Sequence, residues 1–346
     1  MKKILMAIVL LMIPKIFIGY SAECYVAMDY DSGRVLLSKN PNKEKLIAST
    51  TKIMSAIVAI ENSDLNGIRV VGKEVLKAYG SAIYLNVGEK ITLRDLLYGL
   101  MLRSGNDAAI EIAYHVSGGM DEFVKLMNDK AFELGMNSTV FINNHGLEEE
   151  KNGNISTAYD MALLMRYAID NDIFKKIINT KKYTSHTDMK TYSWVNKNKL
   201  LGTYKYMVGG KTGYTKLAGR SLVAVSEKDK KKVIVVTIND GDDFADHKNM
   251  AEYIFNNYER YCLLNKNNFV INKEVGKYYI NKNIYALLTG EEMKHIKSKV
   301  QFYDNDGGML SFYLNNNFLI KSNFYSYKNL NDDNFIKKII KRVFGW

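Results

Sequence analysis

Three short polar motifs follow one another along the chain: Ser49-Thr50-Thr51-Lys52, then Ser104-Gly105-Asn106, then Lys211-Thr212-Gly213. Each lies in a different local setting. Ser49 opens an apolar segment, Ile53 to Ile60, with helical spacing; Ser104 falls in a loop between helical patterns; Lys211 precedes a pair of apolar β runs. A fold that unites them must join a helix start, a loop and a strand from distant parts of the chain. The flanking patterns supply one. Tyr25 to Leu37 reads as a hairpin turning at Asp31-Ser32-Gly33. Residues 61–180 read as mainly helical, with Leu93, Leu96, Leu97 and Leu100 at core spacing, as are Met161, Leu164, Met165 and Ala168. Ser221 to Val225 and Val233 to Ile238 read as strands covered on both faces, and Met250, Ala251, Ile254, Phe255 and Tyr258 as one helical face. The expected fold is therefore α/β (α+β): a sheet built from both ends of a domain, with a helical insertion between them.

The motifs also imply a chemistry. A serine hydroxyl is a weak nucleophile until a base takes its proton. Ser49 and Lys52 are spaced to share one face of a helix, a turn apart. Lys52 then serves as a base if it is neutral, and burial with a second cation such as Lys211 lowers an ammonium pKa. Gly209 and Gly210 ahead of Lys211 allow a ligand close to the backbone. Each motif alone is common. Their conjunction is the set associated with penicillin-binding proteins and class A β-lactamases.

The chain resembles the D-alanyl-D-alanine carboxypeptidases, low-molecular-mass penicillin-binding proteins. The likeness extends to Leu96 through Ala109, His145-Gly146-Leu147, Ser156 through Ala162, Asn196 through Leu201 and Gly210 through Gly219. It implies a β-lactamase-like domain with a mainly antiparallel sheet, flanking helices and a helical subdomain. It implies that Ser49 is the acyl-ester nucleophile, Lys52 its proton acceptor, Ser104 a proton relay and Asn106 an orienting group. Lys211 and Thr212 would bind the substrate's terminal carboxylate, Gly213 would leave room for its backbone, and the N–H groups of Ser49 and Tyr214 would form the oxyanion hole. The implied partners are peptidoglycan stem peptides ending in D-Ala-D-Ala and β-lactam antibiotics, with no cofactor and no metal. Tyr214 stands where many relatives have histidine. Some relatives carry an arginine after the last strand to help grip the carboxylate; the stretch Asp242 to Lys248 offers His247 and Lys248 instead.

Both ends of the chain carry further signals. Lys2 and Lys3, an apolar run from Ile4 to Ile13 and the small residues Gly19, Ser21 and Ala22 read as an export signal over residues 1–22, cleaved near Ser21 or Ala22. Formal charge is +11, or +8 without Lys2, Lys3 and Lys15, which favours anionic lipid or wall polymer; no nucleic-acid module is visible. Residues 23–264 form the expected catalytic domain, and 265–328, richer in Asn, Lys, Tyr and Phe, a small β-rich domain shorter than usual for the family. In residues 329–346, Phe335, Ile336, Ile339, Ile340, Val343 and Phe344 oppose Lys337, Lys338, Lys341 and Arg342 on a helical wheel. That segment is shorter than the roughly 20 residues a span requires, and it reads as an amphipathic helix lying on the outer face of the cytoplasmic membrane.

Two cysteines, Cys24 and Cys262, are too few for a disulfide framework and read as buried or free thiols. The five histidines lack metal-ligand spacing, and His145 is expected to brace a loop rather than act as a base. Two alternatives stand beside the carboxypeptidase. One is a class A β-lactamase, with Glu148, Glu149 or Glu150 activating the deacylating water. The other is a non-catalytic wall-binding protein.

Overall fold

The computed structural model describes residues 19–150, 152–269, 278–303 and 307–326. The first 18 residues of the expected export signal and the expected amphipathic helix lie outside them.

The main sheet has five strands: β1 (Cys24–Asp29), β2 (Val35–Lys39), β3 (Met207–Thr215), β4 (Gly219–Lys228) and β5 (Lys231–Ile238). Their order is β2-β1-β5-β4-β3, every neighbour antiparallel. The sheet thus joins the start of the chain to residues beyond 200, as the apolar runs predict. Gly33, at φ +76°, makes the turn between β1 and β2.

Both faces of the sheet are covered. Val26, Met28, Val223, Val225, Ile234 and Val236 face a large core that includes Ile53, Ile57, Leu96, Met161 and Leu164. Those residues come partly from α1 (Lys52–Asn62) and α4 (Ala158–Ala168), and α2 (Asn106–Ser117) and α3 (Met120–Glu133) pack into the same core. Tyr25, Ala27, Leu222, Ala224, Val233 and Val235 face the other side, against Met250, Ala251, Ile254 and Phe255 of α5 (Asp243–Asn257). The period of two along each strand divides these sets. Truncating a fully buried residue such as Ile57 to alanine costs about 2–5 kcal/mol.

Residues 61–180 are less uniformly helical than their pattern predicts, because residues 63–92 form loops and short strands. A hairpin, Lys182–His186 with Thr191–Val195, follows; its buried Trp194 packs on Tyr192 and Tyr183, and Tyr183 stacks on Tyr98. Beyond α5, β6 (Glu259–Leu264) pairs with β8 (Ile284–Leu288). A second sheet has the order β7-β11-β10-β9, from β7 (Tyr278–Tyr279), β9 (Ile296–Tyr303), β10 (Gly307–Leu314) and β11 (Asn317–Ser326). Its own small core gathers Tyr278, Ile284, Leu310, Phe312 and Phe324. Cys24 is buried and Cys262 exposed, and neither is bonded to the other. Among the described residues no helix is long and apolar enough to cross a membrane.

Candidate active site

Ser49 sits in a 3₁₀ turn, Ala48–Thr51, that runs into α1 at Lys52. The turn is held from below. Ala48 takes a positive φ of +46°, and Gly146, itself at φ +85°, lies so close that a Cβ on it would meet Ala48 O at 2.0 Å. Only glycine fits at that contact. The loop following α3 is thereby pressed against the base of the turn. Ser49 is half-buried while Thr50, Thr51 and Lys52 are buried, so the turn exposes its first hydroxyl and hides the rest.

Lys52 is fully buried, with Nζ 3.1 Å from Ser49 Oγ. It donates to Asn106 Oδ1 at 2.7 Å and to the backbone carbonyl of His145. A neutral amine has two N–H bonds and one lone pair. As an ammonium Lys52 donates to Ser49 Oγ as well; in the neutral form the bonds to Asn106 and His145 use both hydrogens and leave the lone pair for the Ser49 hydroxyl. Burial holds Lys52 well below the ordinary lysine range, and the Lys211 and Lys197 cations push it further down.

The second motif is placed by a change of helical pitch. A short α-helix, Leu93–Tyr98, passes into a π turn, Gly99–Arg103, which ends at Ser104 with φ +65°. A non-glycine residue in that region is uncommon and is held by its surroundings. Ser104 Oγ accepts a hydrogen bond from Lys211 Nζ at 3.0 Å. Asn106 begins α2, and its Nδ2 donates to Tyr79 O at 2.6 Å, which fixes the amide with its oxygen toward Lys52. The Asp107 carboxylate accepts the N–H groups of Ile83 and Leu85 and pins the loop that carries Tyr79 and Ser81.

Lys211, Thr212, Gly213 and Tyr214 lie on β3, the edge strand. Gly213 lies against the nucleophile turn: a Cβ there would approach Ile47 O and Thr50 N at 3.1 Å. Lys211 is buried, donates to Ser104 and to Thr212 O, and is lowered to about 7 by burial and then by Lys197. Tyr214 is 65% exposed and lines the cleft. Ser49, Ser104, Thr212, Gly213 and Tyr214 line one cleft of about 560 Å³. Ser49, Lys52, Ser104, Asn106, Lys211, Thr212, Gly213 and Tyr214 therefore come together, either on the cleft or on the two lysines beneath it.

His145 braces its loop as expected. Its Nδ1 accepts from Leu147 N, and burial followed by the Lys52 cation lowers it to about 4. Glu148, one of three glutamates considered for a deacylating water, has its carboxylate bonded by the Thr215 hydroxyl. The expectation for His247 does not hold. It is fully buried beneath the sheet, Nε2 beside Thr237 Oγ1, and desolvation lowers it to about 3, so it offers no cation to the cleft. Lys248 is exposed and is not among the lining residues.

Two cations missed in the sequence do line the cleft. Arg220, opposite Tyr214 in the β3–β4 register, is ion-paired with Asp243 and lies over the Phe244 ring. Lys197 donates to Ser81 Oγ at 2.9 Å. The signal for Lys197 was its place in the Asn196 through Leu201 stretch; nothing local marks Arg220.

A family model described as D-alanyl-D-alanine carboxypeptidase matches residues 15–242. The D-alanyl-D-alanine carboxypeptidase DacF of Bacillus subtilis is 33% identical over 308 residues, covering 83% of this chain and 78% of that protein. Among solved structures, the D-alanyl-D-alanine carboxypeptidase of Mycobacterium tuberculosis H37Rv is similar with a TM-score of 0.66 at 31% identity, over 69% of this chain and 92% of that one. The carboxypeptidase DacD of Francisella tularensis gives 0.71 at 25% identity, over 89% and 93%. Motifs, geometry and likeness agree, and the chain belongs to the D-alanyl-D-alanine carboxypeptidase family of serine peptidases, the low-molecular-mass penicillin-binding proteins.

Proposed function

We propose that this protein removes the terminal D-alanine from peptidoglycan stem peptides through an acyl-enzyme on Ser49, and that β-lactams acylate the same residue. The observation that carries this assignment is the Lys52 amine, 3.1 Å from Ser49 Oγ with its N–H groups engaged elsewhere.

Ser49 attacks the penultimate D-alanine carbonyl while its proton passes to Lys52. The tetrahedral oxyanion is received by the N–H groups of Ser49 and Tyr214; one such donor is typically worth about 3 kcal/mol. Ser104, held by Lys211, relays to the leaving D-alanine amine the proton that Lys52 took, which leaves Lys52 neutral and Ser104 unchanged, and Asn106 keeps Lys52 oriented. Thr212 and the Lys211 ammonium bind the terminal carboxylate. The role of second carboxylate contact falls to Arg220, whose planar fork matches a carboxylate and whose orientation is set by Asp243. Water, activated by Lys52, then hydrolyses the ester and releases the shortened peptide.

The test is mass spectrometry of the protein after penicillin treatment. A mass gain equal to the drug on the peptide carrying Ser49, absent in Ser49→Ala, is expected; labelling elsewhere refutes the assignment. Export by residues 1–22 and peripheral attachment by residues 329–346 complete the proposal. The basic-then-apolar start and the split of Phe335, Ile336, Ile339 and Ile340 from Lys337, Lys338 and Lys341 support them. Deleting residues 335–346 should abolish flotation with anionic vesicles while leaving peptidase activity; continued flotation would refute the anchor.

A further inference from the structure

Residues 19–22 form a short strap leading into β1 and end between two buried carboxylates. Ser21 N donates to Asp246 Oδ2 at 2.6 Å, and Ala22 N reaches the same oxygen at 3.3 Å. Ser21 Oγ donates to Asp240 Oδ1 at 2.5 Å and lies 3.1 Å from Asp246 Oδ2. Asp240 and Asp246 are only 4% and 7% exposed, and Ala22 is fully buried. Asp240 Oδ2 has no hydrogen-bond partner among the described residues.

The nearby cations are committed elsewhere. Arg220 pairs with Asp243, Lys39 donates to Ala22 O, and Lys43 and Lys45 pair with Glu23. His247, beside Asp246 on α5, is held neutral by burial. Two desolvated carboxylates that repel one another require a counter-charge, and burial together with Asp246 raises Asp240. Arg220 acts on Asp240 only from its ion pair with Asp243, and among the described residues no cation is in contact with either carboxylate.

We propose that the counter-charge is the chain's own α-ammonium, freed at Ala22 when a leader peptidase hydrolyses the Ser21–Ala22 bond. Of the bonds in this strap, this one has small residues at both positions such enzymes read, Gly19 and Ser21; cleavage after Ala22 would put the bulky Tyr20 at the first of them. Water adds across the amide, leaving the Ser21 carboxylate on the leader and an amine on Ala22, which is protonated at neutral pH. The new ammonium has three donors where the amide had one. It keeps Asp246 Oδ2 and turns a further hydrogen toward the Asp240 oxygen that Ser21 Oγ vacates. In the folded precursor the same bond is pinned to Asp246 beside a buried residue, so cleavage precedes closure of the sheet.

The test compares two forms of the protein, one starting at Ala22 with a free amine and one retaining Gly19–Ser21, each unmutated and as Asp246→Asn. The free-amine form should melt higher by about 2–4 °C, and the difference should vanish in Asp246→Asn. Equal melting of the two unmutated forms, or a gap that survives the substitution, overturns the proposal. Without any mutation, the Ala22 amine should resist an amine-acylating reagent in the native protein and react once denatured; ready modification of the native protein overturns it. The exported chain, weighed intact, should begin at Ala22, and any other start overturns it. Penicillin labelling of Ser49 in both forms reports separately on the catalytic assignment.

Discussion

Among the described residues, lysines are buried at two places beside the main sheet, and the contrast between them separates the proposed chemistry from support. At the hairpin end of β5, Lys231 is 7% exposed and donates to Phe255 O and Tyr258 O at the end of α5, with the Glu259 carboxylate beyond. That is a cation at a helix C-terminus, where the backbone dipole and open carbonyls favour it. At the cleft, Lys52 and Lys211 are buried as deeply but face each other and Lys197, with no carboxylate ion pair among the described residues. One arrangement stabilises a charge; the other lowers the affinity of a lysine pair for its protons. On the proposed mechanism the active state carries a single proton on the pair, on Lys211, with Lys52 as base and Lys211 as anion seat.

The largest test of this contrast exchanges the consequences. Lys52→Ala should slow acylation of Ser49 by penicillin by about 10²–10⁴-fold with little net change in melting temperature, since removing a desolvated amine offsets the loss of its bonds to Asn106 and His145. Lys231→Ala should leave the acylation rate unchanged and cost about 1–3 kcal/mol of stability, measured by denaturant unfolding, because it strands buried carbonyls. If Lys52→Ala unfolds the protein while Lys231→Ala impairs acylation, the contrast is wrong.

Next in size is Arg220→Ala. Loss of a charged hydrogen-bonding contact worth about 1.5–3 kcal/mol should lower kcat/KM for a D-Ala-D-Ala peptide by about 10–100-fold. A substrate amidated at its C-terminus should be insensitive to the substitution, and equal sensitivity would sever Arg220 from the carboxylate.

The pH dependence sharpens the comparison further. Protonation of Lys52 removes the base as pH falls, and deprotonation of Lys211 removes the cation as pH rises through about 7 in the free enzyme. The profile of kcat/KM should be a bell whose two limbs belong to the coupled pair. Lys197 lowers both lysines, so Lys197→Gln should move both limbs to higher pH. Limbs that stay in place would contradict that coupling.

The parts of this molecule legible in its sequence are those set by local spacing. The turn at Asp31-Ser32-Gly33, the apolar face after Ser49 and the doubly covered strands around Val223 and Val235 follow from neighbouring residues alone. The Lys182–Val195 hairpin escaped because its alternation is broken by a polar residue that is buried, Ser185, and an apolar one that is exposed, Val195. Arg220 escaped because its place in the cleft arises from cross-strand register with Tyr214, which no stretch of sequence displays. His247 misled because nearness in sequence to the cleft is not nearness in space. Asp243 and Phe244 at the start of α5 line the cleft, while His247, one turn or about 5.4 Å further along, lies under the sheet.

The most direct measurement is the charge on Lys52 at neutral pH. With lysine side chains labelled at Cε with ¹³C, and the Lys52 resonance assigned by its absence in Lys52→Arg, an NMR titration reads that charge. The resonance should have the neutral-amine shift at pH 7 and acquire the ammonium shift only on acidification. A Lys52 that stays an ammonium until near 10.5, the ordinary value for a lysine, would contradict the account.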